Sequence, residues 1–222
     1  MAAPRIALIH ALRLSPPAIM EAFARLWPGP FLMNLLDDSL SADLARAGGL
    51  TPAMTERFLD LAAYARRCGA DAILFTCSAF GPAIEAVKAA HPGVPVLKPN
   101  EAMIEAALDA APSGRIGLVA TFRPTFASMR PEFAQAAAAR GIALDLREGF
   151  AEGAMAALEA GDGAGHDARA AEAARRLADC EAIALAQFSL ARAAPAVARA
   201  TGKPVLTTPD SAVARLRSLL AA

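Results

Sequence analysis

"RIALIHAL" at residues 5 to 12 and "RIGLVATF" at residues 115 to 122 are one phrase written twice, 110 positions apart. Each is a short apolar run of the kind that forms a strand. The offset persists on either side: Phe23 falls on Phe133, "LMNLLDD" (32–38) on "IALDLRE" (142–148), Arg66 on Arg176, and "DAI" (71–73) on "EAI" (181–183). After one skipped position "PVL" (95–97) meets "PVL" (204–206), and Pro99 meets Pro209. A register kept through four elements marks an internal duplication.

Within each copy short apolar runs alternate with longer helical patterns, the signature of parallel sheets built from right-handed crossovers. Strands are expected near 5–11, 31–37, 71–77 and 94–98, and again near 115–121, 142–148, 182–187 and 204–208. The segments between them carry helix starts and stops: "SPPAIMEAFARL" opens with Ser and Pro, "TPAMTERFLDLAAYARRCG" begins Thr-Pro and stops at Gly69, and "NEAMIEAALDAA" follows an Asn. Near-continuous apolar strands imply sheets covered on both faces. The expected fold is therefore α/β, two pseudo-twofold-related α/β/α lobes, each with a four-stranded parallel sheet. Residues 1–98 form the first lobe and 99–208 the second, with a last helix at about 209–222 able to pack back onto the first. Open sheets of this kind bind ligands beyond the carboxyl ends of their strands, so a site is expected in a cleft between the lobes, floored by residues 77 and 187.

At 222 residues, with 55% hydrophobic and 20% charged content, the chain has ample core material. Its 22 basic and 22 acidic residues balance without runs of like charge, which argues against nucleic acid and anionic membrane as partners. The expected partner is a small molecule; oligomeric state, a homo-oligomer included, stays open. The start of the chain has too few apolar residues between Arg5 and Arg13 for a secretory leader, and no stretch reaches the length of a membrane span, so a cytoplasmic location is expected. Cys68, Cys77 and Cys180 form no CxxC pair, and His10, His91 and His166 are scattered, so neither a disulfide framework nor a metal site is signalled.

Four strand ends carry chemistry. Cys77 stands where "DAILFT" gives way to "SAFGPAIEAVKAA", and unpaired N–H groups at a helix start would favour its thiolate; plain packing of a small buried residue is the competing reading. His10 ends the strand expected beside it and could pair with the thiolate or relay its proton, or simply satisfy a backbone carbonyl. Thr76 and Ser78 flank the cysteine, and Thr121 and Thr125 occupy the matching turn of the second copy; such hydroxyls bind carboxylates or cap helices. Asn34, Asp37, Asp38 and Ser39 read as a solvated turn or interlobe contact. "GDGAG" (161–165) follows a helix, lacks the Lys of a phosphate loop, and reads as a flexible connection. Cys68 and Cys180 lie at the far ends of strands and read as structural.

The duplicated lobe, "TCSAFGPAI" at the third strand end, "RIGLVAT" opening the second copy and "ALAQFSLARAAP" at the mirror position together resemble the aspartate/glutamate/hydantoin racemase superfamily, which also includes arylmalonate decarboxylase and maleate isomerase. The resemblance implies an isomerase that works without cofactor, with two cysteines, one per lobe, moving a proton at the carbon next to a carboxylate. Cys77 matches the first cysteine, whereas Gln187 or its immediate neighbour takes the place of the second, and an amide is no base in water. Ser189 is two residues on but has no neighbouring base in sequence; Cys180 is seven residues back, on the order of 23 Å at about 3.3 Å per residue. The position of His10 holds an aspartate in glutamate racemases. The resemblance thus implies Cys77 and His10 as catalytic residues and Ser78, Thr76, Thr121, Thr125, Gln187 and Ser189 as substrate contacts. It leaves open a racemase, a one-cysteine decarboxylase or isomerase, and a carboxylate-binding protein without turnover. Three lysines and no dinucleotide loop give no sign of a cofactor.

Overall fold

The computed structural model describes residues 3–13 and 15–221; the expected outer boundaries at residues 1 and 222 lie outside them. The chain forms two compact units, Met1–Pro99 with Ala212–Ala222, and Asn100–Ser211. The first contains β1 (Arg5–His10), α1 (Ser15–Leu26), β2 (Phe31–Leu36), α2 (Leu40–Ala47), α3 (Pro52–Arg67), β3 (Ala72–Phe75), α4 (Gly81–Ala90) and β4 (Val96–Leu97). The second contains α5 (Glu101–Ala110), β5 (Arg115–Ala120), α6 (Pro124–Ala139), β6 (Asp145–Phe150), α7 (Ala154–Glu159), α8 (Gly163–Arg175), β7 (Ala182–Leu185), α9 (Ala194–Thr201) and β8 (Val205–Thr207). The last helix, α10 (Thr208–Leu220), starts in the second unit and continues into the first, where Arg217 Nη1 donates to the Leu26 carbonyl at 3.3 Å.

Each unit has one four-stranded parallel sheet, ordered β2-β1-β3-β4 and β6-β5-β7-β8. The expected two-lobed α/β fold is found. Its central strands are buried along almost their whole length, as strands covered on both faces must be. The outer strands β2 and β6 are only partly buried instead, because an edge strand has a neighbouring strand on one side alone.

The repeat is less uniform than its offset suggests. Arg5 pairs with Phe31 in the first sheet and Arg115 with Asp145 in the second, so β2 corresponds to β6 four residues later than the 110-residue offset implies. The second copy of this strand is therefore Asp145–Phe150, not 142–148. The cause is the preceding crossover: α6 has 16 residues where α1 has 12. Shorter helices after β6 absorb the extra turn, since α7 and α8 replace the longer α2 and α3, and Ala72 and Ala182 again stand 110 apart at the starts of β3 and β7.

Strand alternation then sorts side chains by face. In the first unit Ala7, Ile9, Ala11, Ile73 and Phe75 join Met54, Phe58, Ala62 and Ala65 of α3 and Ile84 and Val87 of α4 in one core. In the second, Val119, Ile183 and Leu185 join Ala170, Ala173 and Ala174 of α8 and Val197 of α9. Close approach there demands glycine: a Cβ on Gly117 would lie 2.8 Å from Ile183 Cδ1 and 3.0 Å from Leu177 Cδ1. "GDGAG" is largely the start of α8 rather than a flexible link, because the Asp162 carboxylate caps it by accepting from the Gly165 N–H at 2.8 Å.

Candidate active site

Cys77 follows β3 in extended backbone, φ −127° and ψ 117°, so the alternation of the strand runs through it. Its side chain packs against the core of Ile9, Ala11 and Phe75 and is half-buried. Three aromatic rings fix its turn: Phe58 of α3 lies 5.1 Å from Phe75, two residues before the cysteine, and 4.8 Å from Phe80, three residues after it. Ser78–Phe80 form a 3-10 turn, and α4 starts only at Gly81. A helix start therefore does not follow Cys77 directly, and the main-chain donor nearest its sulfur belongs to the 3-10 turn. Burial pushes the Cys77 thiol above its ordinary value, and the Ala79 N–H, donating toward the sulfur, offsets this only in part. The Ser78 hydroxyl beside it is exposed.

His10 ends β1 as expected, and the register Ile9 to Phe75 sets it opposite Thr76. Its two ring nitrogens are both engaged, by Thr76 Oγ1 at 2.8 Å and Asn34 Oδ1 at 2.9 Å. The Asn34 oxygen can only accept, so Nε2 carries the proton and Nδ1 receives the Thr76 hydroxyl. Burial lowers the His10 pKa, with the Asn34 hydrogen bond opposing, which favours the neutral ring. Alternation puts His10 and Thr76 on one face of the sheet and Cys77 with Ala11 on the other. Asn34, itself exposed, joins this pair from within β2, not from the turn beyond it. Asp37 and Asp38 do lie in that turn. Burial raises the Asp37 carboxyl, but hydrogen bonds from Arg57 (Nε, 3.0 Å) and Ser39 outweigh it and hold the carboxyl below its ordinary value. Asp38 pairs with Arg13. These contacts tie the turn to α3 and leave it structural.

In the second unit Gln187 occupies the place of Cys77, again in extended backbone, φ −138° and ψ 147°, before a 3-10 turn at Phe188–Ala193. Its Oε1 accepts from the Thr121 N–H at 2.7 Å and the Thr121 hydroxyl at 3.0 Å. Thr121 matches Ala11, so the second unit has a latch where the first has a methyl group. Ser189 is half-buried in the turn, and Thr125 is half-buried in α6, its carbonyl accepting from Ser128. The reading of hydroxyls as substrate contacts missed the Thr121–Gln187 bond, although the 110-residue offset places the two residues at adjacent strand ends. Cys68 ends α3 and Cys180 is fully buried before β7. Among the described residues no cluster of three or more His, Cys, Asp or Glu could hold a metal, and no helix is long and apolar enough to cross a membrane.

A family model described as Asp/Glu/Hydantoin racemase matches residues 8–216. No curated protein sequence matches the chain significantly. Among solved structures, allantoin racemase from Klebsiella pneumoniae is similar at a TM-score of 0.75 and 21% identity, covering 99% of this chain and 88% of that one. Glutamate racemase from Francisella tularensis, in complex with D-glutamate, gives 0.69 and 16%, covering 100% and 82%. A cysteine-for-glycine mutant of arylmalonate decarboxylase gives 0.64 and 20%, covering 97% and 94%. At these identities the structural likeness speaks for the fold alone.

Proposed function

We propose, since the chain belongs to the Asp/Glu/hydantoin racemase family, that it is a cofactor-independent enzyme transferring a proton at the carbon α to the carboxylate of a small substrate, with Cys77 as the acid/base. The observation that carries this reading is Cys77 itself, a partly exposed thiol at the carboxyl end of a central strand, its turn pinned by Phe58 and its sulfur met by the Ala79 N–H. The exposed Ser78 hydroxyl is the flanking group best suited to a carboxylate oxygen. Thr125, Ser189 and Gln187 are the further contacts in this reading. Thr76 and Thr121 serve differently, because their hydroxyls are already engaged by His10 and Gln187. His10 acts through Thr76 as a positioning residue of the strand end, not as a direct partner of the sulfur. A cytoplasmic location goes with this reading.

Two observations favour a second reading inside the first, delivery of a proton to one face only. Burial favours the neutral thiol, which is the form that protonates a carbanion. The second unit offers an amide where inversion would require another acid/base group. In a decarboxylase of this type the bond to the leaving carboxylate breaks, carbon dioxide departs, and the electron pair stays on the α carbon as an enediolate. The Cys77 S–H then protonates that carbon, and water returns a proton to the thiolate. Incubation of glutamate, allantoin and an arylmalonate in heavy water distinguishes the outcomes: deuterium gained with inversion indicates a racemase, deuterium without inversion a one-sided enzyme, and loss of carbon dioxide a decarboxylase. Turnover undiminished in Cys77→Ala would sink the assignment of the thiol. Ligand-induced stabilisation without any turnover would support a binding protein instead.

A further inference from the structure

The Gln187 side chain is held in one orientation. A backbone N–H only donates, so the atom facing the Thr121 N–H at 2.7 Å must be the amide oxygen, and the Thr121 hydroxyl at 3.0 Å donates to the same atom. The NH2 group is thereby turned away from Thr121. It has no acceptor among the described residues, and Gln187 is half-buried, not sealed in the core. Two N–H bonds are thus fixed in direction without being used. A flexible glutamine on a surface pays rotamer entropy when it binds; this one is already ordered by a main-chain donor in a turn of fixed backbone.

We propose that the Thr121–Gln187 pair is a preset hydrogen-bond donor for an oxygen of the substrate, a carboxylate or carbonyl, and that this end of the second sheet selects substrates by an acceptor group instead of exchanging protons. The proposal rests on the reading of the chain as an enzyme of small carboxylates and specifies what the substrate must carry. The neutral amide contributes direction without charge, so it accepts an oxygen of either a carboxylate or an uncharged carbonyl, while rejecting a group that presents only N–H donors at that point. Thr121 is the positioning residue, acting through Gln187.

The test converts the donor into an acceptor without changing its shape. Gln187→Glu leaves one oxygen for the Thr121 N–H and hydroxyl and turns the other, a charged acceptor, toward the ligand. Malonate offers only acceptors, whereas malonamide offers both acceptors and N–H donors. Thermal stabilisation of the full chain by each compound, titrated to an apparent Kd, is the measurement. The wild type is expected to bind both compounds through an acceptor oxygen; in Gln187→Glu the malonate Kd rises about tenfold or more, the scale of a lost hydrogen bond to a charged group, and the balance between the two reverses toward malonamide. Gln187→Met, which has neither donor nor acceptor, should lose malonate binding without gaining malonamide, which separates a specific reversal from damage to the fold. Unchanged preference in Gln187→Glu, or no stabilisation of the wild type by either compound, overturns the proposal. Failure of the enzymatic reading would be seen separately, as stabilisation by malonate with no turnover of any candidate substrate, and failure of the thiol's assignment as turnover surviving Cys77→Ala, because malonate binding does not depend on the thiol.

Discussion

The two sheets end in pairs of residues at equal positions, Ala11 with Cys77 and Thr121 with Gln187, and their contrast is instructive. In the first unit the face of Cys77 carries a methyl group beside the thiol, and the polar contacts lie on the opposite face, in the chain Asn34–His10–Thr76. In the second unit that opposite face carries Ala120 and Ala186 at the matching positions, while the polar bond lies on the face of Gln187. Duplication kept the backbone and exchanged which side of the sheet holds the hydrogen bonds. A thiol kept neutral by burial still carries a proton it can give up, whereas an amide latched by two donors is committed to one role.

The contrast predicts its own failures. The largest effect is expected from Cys77→Ala, which should lower deuterium incorporation into a turned-over substrate by about 10²–10⁴-fold, the usual share of a positioned acid/base; the measurement is mass spectrometry of the α carbon. Gln187→Cys comes next: by supplying a second thiol it should add inversion to exchange, detectable by chiral chromatography, and exchange still confined to one configuration would break the equivalence of the two positions.

A smaller effect concerns acid stability. The folded-state pKa of His10 lies below the ordinary 6.5 because burial disfavours its charge. The unfolded chain therefore binds the extra proton first, so the contribution is present above about pH 6.5 and is lost as pH falls toward the folded value. Thermal melts should show stability decreasing on acidification below that point, with a shallower slope in His10→Gln, which cannot titrate; an identical slope would detach His10 from the effect. The smallest expected change is Thr121→Val, which removes one of two donors to Gln187 and should cost about 1 kcal/mol in chemical denaturation. A neutral result there would show that the main-chain donor alone holds the amide.

The central strands, the parallel sheets and the place of Cys77 were all legible as apolar runs repeated at one offset. The position of β6 was not, since "DLREGF" is an edge strand whose polar residues give no contrast with its surroundings, and the extra helical turn before it leaves no mark in composition. His10 suggested a partner for the thiol by chemical type alone. Counting by twos within β1 and β3 sorts residues by face, but deciding that His10 opposes Thr76 requires the register between strands, which only the folded sheet supplies. The raised pKa of Cys77 likewise comes from burial against a core that other strands and helices build, which a reading of the local sequence does not contain.

The path of the chain into α10 bears on how the molecule comes to exist. Residues 100–211 are contiguous, so the second unit can be complete as soon as they leave the ribosome, whereas the first stays open after Pro99 until Ala212 and the rest of α10 emerge. Half-genes cut at residue 99 would accordingly yield an unequal pair, one unit whole and the other missing a layer. A rearranged chain in which residues 100–222 precede residues 1–99 would make both units uninterrupted, and it should refold with fewer delays than the present order.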